Sequence, residues 1–173
     1  MEKNKCYTVT TETGEQKQVW DGRYGCVVGM VFSGKPDGTI CVLANKRGPG
    51  CPKEVGKWNM PCGFIDAGTG EENAAREVFE ETGIKIPVEE FKQLGTKVDN
   101  EDRNITVRYV AGVEGLPEPA AISDLTGEPN EVEEIKWIPL HEVVKYEWAF
   151  GHDKILIDFI ARLVNAADNM KKQ

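Results

Sequence analysis

Residues 63–84, which read GFIDAGTGEENAAREVFEETGI, predict a short glycine-rich loop followed by a helix. Thr69 and Glu72 have the spacing of a capping box, in which each side chain accepts a hydrogen bond from the other residue's backbone N–H. Gly83 stands one position past the last turn, where a left-handed glycine often ends a helix. We therefore expect a helix over about residues 70–82.

This helix has an apolar arc and an acidic arc, assigned at about 100° per residue. The apolar arc holds Ala74, Ala75, Val78, Phe79 and Thr82, and the opposite arc holds Glu77, Glu80 and Glu81. Carboxylates spaced i, i+3 and i+4 repel one another, although Arg76 offsets part of this repulsion. A hard cation such as Mg²⁺ would relieve it, because Mg²⁺ prefers carboxylate oxygens. The alternative is a solvated acidic face in an interaction protein.

The complete string resembles the Nudix box, G-x5-E-x7-R-E-U-x-E-E-x-G-U, in which U is aliphatic. Its second half matches at every fixed position, at Arg76, Glu77, Val78, Glu80, Glu81, Gly83 and Ile84. Weaker likenesses flank the box at residues 43–47, 58–61 and 133–140. The resemblance implies an α/β fold, a Nudix-type α/β/α sandwich with a mixed sheet. It also implies structural roles for Gly63, Arg76 and Gly83.

The first half of the box departs from the family pattern. Gly63 stands thirteen positions before Arg76, where the family has fourteen. Gly68 is followed directly by Thr69, so the glutamate that the family carries in this loop is deleted. Cys62 replaces a glycine usual in the family, whose backbone carbonyl there is a metal ligand.

The resemblance implies a Nudix pyrophosphohydrolase that uses Mg²⁺, with Mn²⁺ as an alternative metal. The metal shell would consist of Glu77, Glu80, Glu81 and the carbonyl of Cys62. The reaction would cleave a diphosphate bond in a nucleoside diphosphate linked to another moiety, with ADP-ribose-like or nucleoside triphosphate substrates. The deleted loop glutamate favours an alternative, a non-catalytic Nudix module that binds a nucleotide as a sensor or scaffold.

Further candidate site residues lie outside the box. The family's general base sometimes comes from a later loop, where Glu128 and Glu131 are candidates beside the alternative of plain surface acids. Lys46 and Arg47 follow a predicted strand and are candidates for phosphate contacts, with Arg108 a weaker one. Trp58 either stacks on a base or ribose or packs in the core.

The bulk composition bounds the class of protein. The length of 173 residues predicts a single domain over residues 1–173, and 40% hydrophobic residues suffice for a core. A net charge of -8 argues against a general nucleic-acid binder. Five cysteines without a CxxC pair indicate reduced thiols in a cytosol. We expect a cytoplasmic protein that binds a small nucleotide substrate and no membrane, and a homodimer by analogy with relatives that act on ADP-ribose.

The remaining pattern predicts antiparallel strands and a second helix. Strands are expected at residues 6–11 and 16–20 as a hairpin, and at 24–32, 39–44, 91–98, 105–113 and 134–138. Residues 45–57 are expected to form a loop, and residues 58–68 a short strand with a glycine-bounded loop. Residues 114–133 have the length of a lid or binding loop. Helical spacing predicts a C-terminal helix over about residues 153–170.

Overall fold

The computed structural model describes residues 6–20, 22–99 and 103–170. Its strands are β1 (Cys6–Thr10), β2 (Gln16–Trp20), β3 (Tyr24–Gly34), β4 (Ile40–Arg47), β5 (Trp58–Asn59), β6 (Cys62–Phe64), β7 (Lys92–Asp99), β8 (Asn104–Val113) and β9 (Val132–Pro139). The α-helices are α1 (Gly70–Thr82) and α2 (His152–Met170). None of the helices among these residues is both long and apolar enough to cross a membrane.

The central sheet has seven strands and is mixed. Its main path runs β5-β4-β3-β8-β7, while β6 pairs with β3 and β9 pairs with β4. Strands β3 and β8 are parallel, from Tyr24 opposite Asn104 to Ser33 opposite Val113, and the other pairings are antiparallel. The expectation of antiparallel strands was therefore wrong for β3 and β8, while the mixed sheet is confirmed. Strands β1 and β2 form a separate hairpin, as predicted.

The two helices cover opposite faces of this sheet, which confirms the predicted sandwich. On one face α1 places Ala74 and Val78 against the strands, in a cluster with Val27, Val31, Leu43, Tyr109 and Ala111. On the other face α2 places Leu156 in a cluster with Val28, Met30, Val42, Ala44 and Ile138. Successive β3 residues therefore alternate between the two cores, which explains why this strand is apolar at nearly every position.

Two boundaries differ from the sequence-based expectation. Strand β4 continues through Arg47 into the expected loop 45–57, because it pairs with β9 as far as Val132 and with β5 at Asn59 and Trp58. The expected strand at residue 58 is divided into β5 and β6, which pair with different neighbours, β4 and β3. Both differences arise from pairing between distant segments, which local pattern does not specify.

Helix α1 has the predicted ends but not the predicted exposure. Thr69 and Glu72 form both hydrogen bonds of the capping box, and Gly83 ends the helix with φ 70°. Phe79, expected in the core, is 41% exposed, whereas Glu77 and Glu81 are only 7% and 2% exposed. The alternative of a solvated acidic face was wrong for these two glutamates, because other segments of the chain cover that arc.

Candidate functional site

Strand β6 lies along the acidic arc of α1. It pairs with β3, with Cys62 opposite Val28, and the backbone N–H of Cys62 donates to Oε2 of Glu81 over 3.3 Å. Any side chain at Gly63 would collide with the carboxylate of Glu77 and displace it from its ion pair with Arg76. The close approach of β6 therefore buries Glu77 and Glu81 against a backbone, and the predicted structural role of Gly63 has a physical basis.

Arg76 ties the helix to β6 and to the loop between them. Its guanidinium forms ion pairs with Glu80 at 2.7 Å, Glu77 at 2.8 Å and Asp66 at 3.2 Å. It also donates to the carbonyl of Phe64 over 2.9 Å. These contacts agree with the structural role predicted for Arg76, and they hold two of the three helix glutamates in place.

Asn73 closes the loop that the deletion shortened. Its side-chain oxygen accepts from the backbone N–H of Asp66 at 3.1 Å, and its amide donates to the carbonyls of Ala67 at 2.8 Å and Thr69 at 2.7 Å. Asn73 is 2% exposed and was not among the residues singled out from sequence. In the sequence, the feature that could have indicated Asn73 is its position as a polar residue one helical turn before Glu77. The shortened loop is thus bonded to the helix through Asp66, Ala67 and Thr69.

Burial changes the acidity of the glutamates. It raises the pKa of Glu77 to about 7, a shift that the neighbouring Arg76 opposes. Burial raises the pKa of Glu81 well above its usual value, and the negative charge of Glu77 adds to the shift. Oε1 of Glu81 is buried without a hydrogen-bond partner. These carboxylates are therefore held in an environment that lacks enough positive charge.

The segment 127–131 covers the exposed end of this arc and lines a half-open cavity of about 310 Å³. The cavity is lined by Glu80, Glu81, Ile122, Ser123, Leu125, Val132 and residues 127–131. The carbonyl of Glu131 accepts from the N–H of Gly48 at 2.7 Å and from the thiol of Cys51 at 3.2 Å. The structure thus brings Glu128 and Glu131 to the helix glutamates, as the predicted binding loop requires. Burial raises the pKa of Glu131.

Arg47 is a buried cation beside this cavity. It is 6% exposed, its Nε donates to the carbonyl of Lys53 at 3.0 Å, and its guanidinium lies 4.8 Å from the centre of the Phe150 ring. Among the described residues no carboxylate lies within ion-pair distance of Arg47. Its charge nevertheless lowers the pKa of Glu81 and Glu131, against the effect of burial. Sequence reasoning missed Phe150, which lies far along the chain.

The other predicted contact residues are placed differently. Lys46 is paired with Glu133 at 2.8 Å near the surface. Trp58 is 7% exposed and packs against Tyr146, which agrees with the core alternative rather than stacking on a ligand. Arg108 lies in register with Val28, on the face covered by α2, and is not brought together with the glutamates.

A hard divalent cation fits the chemistry of this donor set. All the candidate donors are oxygens, and Oε1 of Glu81 is a buried acceptor without a donor. In the described part of the chain, no three His, Cys, Asp or Glu side chains converge on one point. The carboxylates of Glu77 and Glu80 form ion pairs with Arg76 instead. The shared shell of Glu77, Glu80, Glu81 and the Cys62 carbonyl stays a prediction.

The protein belongs to a class of α/β/α proteins with an acidic cleft. In this class a mixed sheet lies between two helices, and the helix that carries the glutamates packs along a strand that contains a glycine. The sequence model of the NUDIX domain matches residues 24–159. The chain belongs to the NUDIX domain family, and the resemblance drawn from residues 63–84 is confirmed.

Relatives and solved structures agree with this assignment. A Mycobacterium tuberculosis protein that carries the name mutator protein MutT4 is 32% identical over 117 residues, 62% of this chain and 42% of its own length. The chain thus spans less than half of that relative. The NUDIX domain of Shewanella oneidensis NrtR, in a cocrystal with ADP ribose, is 25% identical with a TM-score of 0.68 over 83% of this chain and 90% of its own. A MutT/nudix family protein from Enterococcus faecalis shares the fold, with 23% identity and a TM-score of 0.67 over 84% of this chain and 63% of its own.

Proposed function

We propose that this protein is a divalent-metal-dependent pyrophosphohydrolase that cleaves a diphosphate bond in a nucleoside diphosphate linked to another moiety. One observation carries the proposal. The site contains a buried anion and a buried cation that do not satisfy each other, namely Glu81, with its unpartnered Oε1, and Arg47, without a carboxylate in reach. Unpaired buried charges are costly. A metal ion together with a phosphate group would supply both missing partners.

The residues of the site have different proposed roles, which follow from their charge. Glu81, Glu77, Glu80 and the carbonyl of Cys62 would hold Mg²⁺, with Mn²⁺ as a substitute. The bound metal would neutralise phosphate oxygens and lower the pKa of a bound water. Arg47 would contact the phosphates through its two terminal nitrogens, which donate no hydrogen bond to a described residue.

Glu131 is the better of the two candidates for a general base. It is half-buried beside Glu80 and Glu81 in the same cavity, and its backbone is fixed by Gly48 and Cys51. Glu128 lines the cavity but is exposed. A base must be held within hydrogen-bond reach of the attacking water, which favours the more rigidly held carboxylate.

The proposed substrate class is ADP-ribose-like. Support comes from the NUDIX domain of NrtR, which was crystallised with ADP ribose and is similar to this chain over most of its length. A nucleoside triphosphate is the second substrate class within the same proposal. A small nucleotide substrate is also consistent with the half-open cavity of about 310 Å³. Cytoplasmic location, a homodimeric state and the lack of nucleic-acid partners stay predictions from the sequence.

A non-catalytic Nudix module that binds a nucleotide as a sensor or scaffold is the alternative. The loop glutamate of the family is deleted here, and Arg76 occupies the carboxylates of Glu77 and Glu80. A module of this kind would bind its nucleotide tightly without turnover.

Product analysis with a substrate panel separates these two functions. The protein is incubated with Mg²⁺ or Mn²⁺ and with ADP-ribose, other nucleoside diphosphate derivatives and nucleoside triphosphates. We expect release of a nucleoside monophosphate, reduced at least about 100-fold in kcat/KM by Glu81→Gln. Glu71→Gln, on the same helix but outside the site, is the matched control. Full activity in Glu81→Gln would overturn the proposed site, and calorimetric binding without turnover would establish the alternative.

A further inference from the structure

Phe150 has an unusual backbone conformation for an aromatic residue. Its φ of 56° and ψ of 15° lie in the left-handed region, and Gly151 follows with φ 68°. A bulky side chain in this region is strained, and such strain persists only where the surrounding structure enforces it. A glycine would adopt the conformation without cost. The position therefore combines a conformation suited to glycine with a large ring.

The segments on both sides of Phe150 are anchored and enforce this conformation. On one side the indole of Trp148 donates to the carbonyl of Val143 at 2.8 Å, and Ala149 is fully buried. On the other side Nδ1 of His152 accepts from the backbone N–H of Met60 at 3.1 Å. The ring lies between these two anchored segments and is 44% exposed, whereas Ala149 and His152 are buried.

The displayed ring borders the proposed site. The segment before it lies alongside β5, where the N–H of Trp58 donates to the carbonyl of Glu147 at 2.8 Å. His152 holds Met60, which precedes Cys62 by two residues. Arg47 lies 4.8 Å from the centre of the Phe150 ring, and the adjacent Gly48 is bonded to Glu131. A chain of contacts therefore leads from Phe150 through Arg47 and Gly48 to Glu131, which lines the cavity with Glu80 and Glu81.

We propose that Phe150, backed by Arg47, is the stacking subsite for the aromatic base of the nucleotide substrate. The inference rests on the proposed function and deepens it. A nucleotide has its base, its phosphates and its phosphate-bound metal in a fixed order. The contacts lead from an aromatic ring through a buried guanidinium to carboxylates in the same order. An aromatic ring stacks on any base, because every base has a π face. Trp58, the stacking candidate from sequence, is buried and takes no part.

Direct binding tests this subsite independently of catalysis. The dissociation constants of AMP and of ribose 5-phosphate, which lacks the base, are measured by calorimetry for the wild type, F150L and F150W. F150L keeps an apolar side chain of similar reach without a ring, and F150W keeps a ring. We expect F150L to weaken AMP binding about 10-fold, within a range of about 5- to 100-fold, and to leave ribose 5-phosphate unchanged. F150W should bind AMP about as tightly as the wild type.

Each other outcome overturns the subsite. The proposed subsite is wrong if the wild type binds AMP no more tightly than ribose 5-phosphate. It is also wrong if F150L weakens the binding of both ligands equally, or if F150W weakens AMP binding as much as F150L does. Circular dichroism of each variant establishes that it is folded, and the two substitutions together keep the test decisive if one is not. If the protein turns over a substrate but F150L prefers AMP to ribose 5-phosphate as strongly as the wild type does, the stacking subsite is wrong and the proposed hydrolysis stands. If the preference for AMP over ribose 5-phosphate depends on Phe150 but no compound is turned over, the proposed hydrolysis is wrong and the subsite stands.

Discussion

The backbone N–H of Cys62 donates to Oε2 of Glu81 over 3.3 Å, while Oε1 of the same carboxylate is buried without a partner. One backbone donor does not compensate a carboxylate that is 2% exposed. The metal-free site is therefore held together at a cost in stability, which a cation would remove.

Glu81→Gln should stabilise the metal-free protein by about 1–2 kcal/mol, because burial raises the pKa of this carboxyl group and so costs stability at neutral pH, whereas an amide of the same volume does not titrate. Mg²⁺ at about 100 times its dissociation constant should add about 2.7 kcal/mol to the free energy of unfolding of the wild type. The variant should gain much less. Urea denaturation with and without Mg²⁺ measures both effects, with Glu71→Gln as the control. Equal stabilisation of all three proteins by Mg²⁺ would exclude Glu81 as a ligand.

Arg47 and Lys46 are neighbours in sequence with different surroundings, so their substitutions should have different effects. Arg47→Gln should lower kcat/KM about 10- to 100-fold, since hydrogen bonds to charged groups contribute about 1.5–3 kcal/mol. Lys46→Gln should change it less than about 3-fold, because Lys46 is engaged by Glu133 near the surface. Steady-state kinetics on the best substrate of the panel gives both values. A larger effect at Lys46 than at Arg47 would reverse the assignment of the phosphate contact.

The ends of α1 could be predicted from sequence because their causes are local. The capping box at Thr69 and the left-handed Gly83 act within one turn of the helix, and residues 70–82 form the helix as expected. The box also identified Glu77, Glu80 and Glu81 as one group. The helical repeat alone places these three residues on one face of the helix.

The environment of those glutamates could not be predicted in the same way. Glu77 and Glu81 are buried because β6 and the segment 127–131 cover the acidic arc. The segment 127–131 is distant in sequence, and β6 is held there by its pairing with β3. The contact of Arg47 with Phe150 likewise joins the end of β4 to the residues before α2. Hydrophobic periodicity distinguishes an apolar arc from a polar one, but it does not show which arc another segment will cover.

Glu131→Gln should lower kcat about 10²- to 10⁴-fold with little change in KM, if Glu131 is the general base. Glu128→Gln, on the same loop but exposed, should lower kcat less than about 3-fold. The comparison uses saturating Mg²⁺, so that a change in metal affinity does not mimic a change in chemistry. Equal losses in the two variants would instead indicate that both act through the shape of the loop.

Gly48→Ala should destabilise the protein by about 1–3 kcal/mol and lower kcat/KM, because the added methyl group would collide with the carbonyl oxygen of Asn130. The collision would displace the segment that carries Glu131. Gly95→Ala is the control, since a methyl group there meets no atom within 4 Å. Thermal denaturation and kinetics are measured together. An unchanged melting temperature in Gly48→Ala would show that the loop is not packed against Gly48.

His152 should make the stability of the protein depend on pH. Burial lowers its pKa from 6.5 to about 3, and the charges of Arg108 and Arg47 act in the same direction. Its Nδ1 accepts from the N–H of Met60, which requires the neutral ring. Between about pH 6.5 and pH 3 the unfolded chain binds one proton more at this residue than the folded protein does. This residue's contribution to stability is therefore fully present above about pH 6.5 and is lost as the pH falls, by up to about 1.4 kcal/mol per unit.

His152→Gln offers an acceptor to Met60 without a titratable ring, so it should reduce this slope. Urea denaturation of the wild type and the variant at a series of pH values between about 7 and 4.5 measures the difference. We expect the free energy of unfolding of the wild type to fall relative to that of the variant as the pH falls, whatever their offset at pH 7. The ring signals of His152 in NMR spectra should also stay constant over this range while the protein is folded. Parallel curves, or ring signals that titrate near pH 6.5, would show that the histidine is not held neutral by the fold.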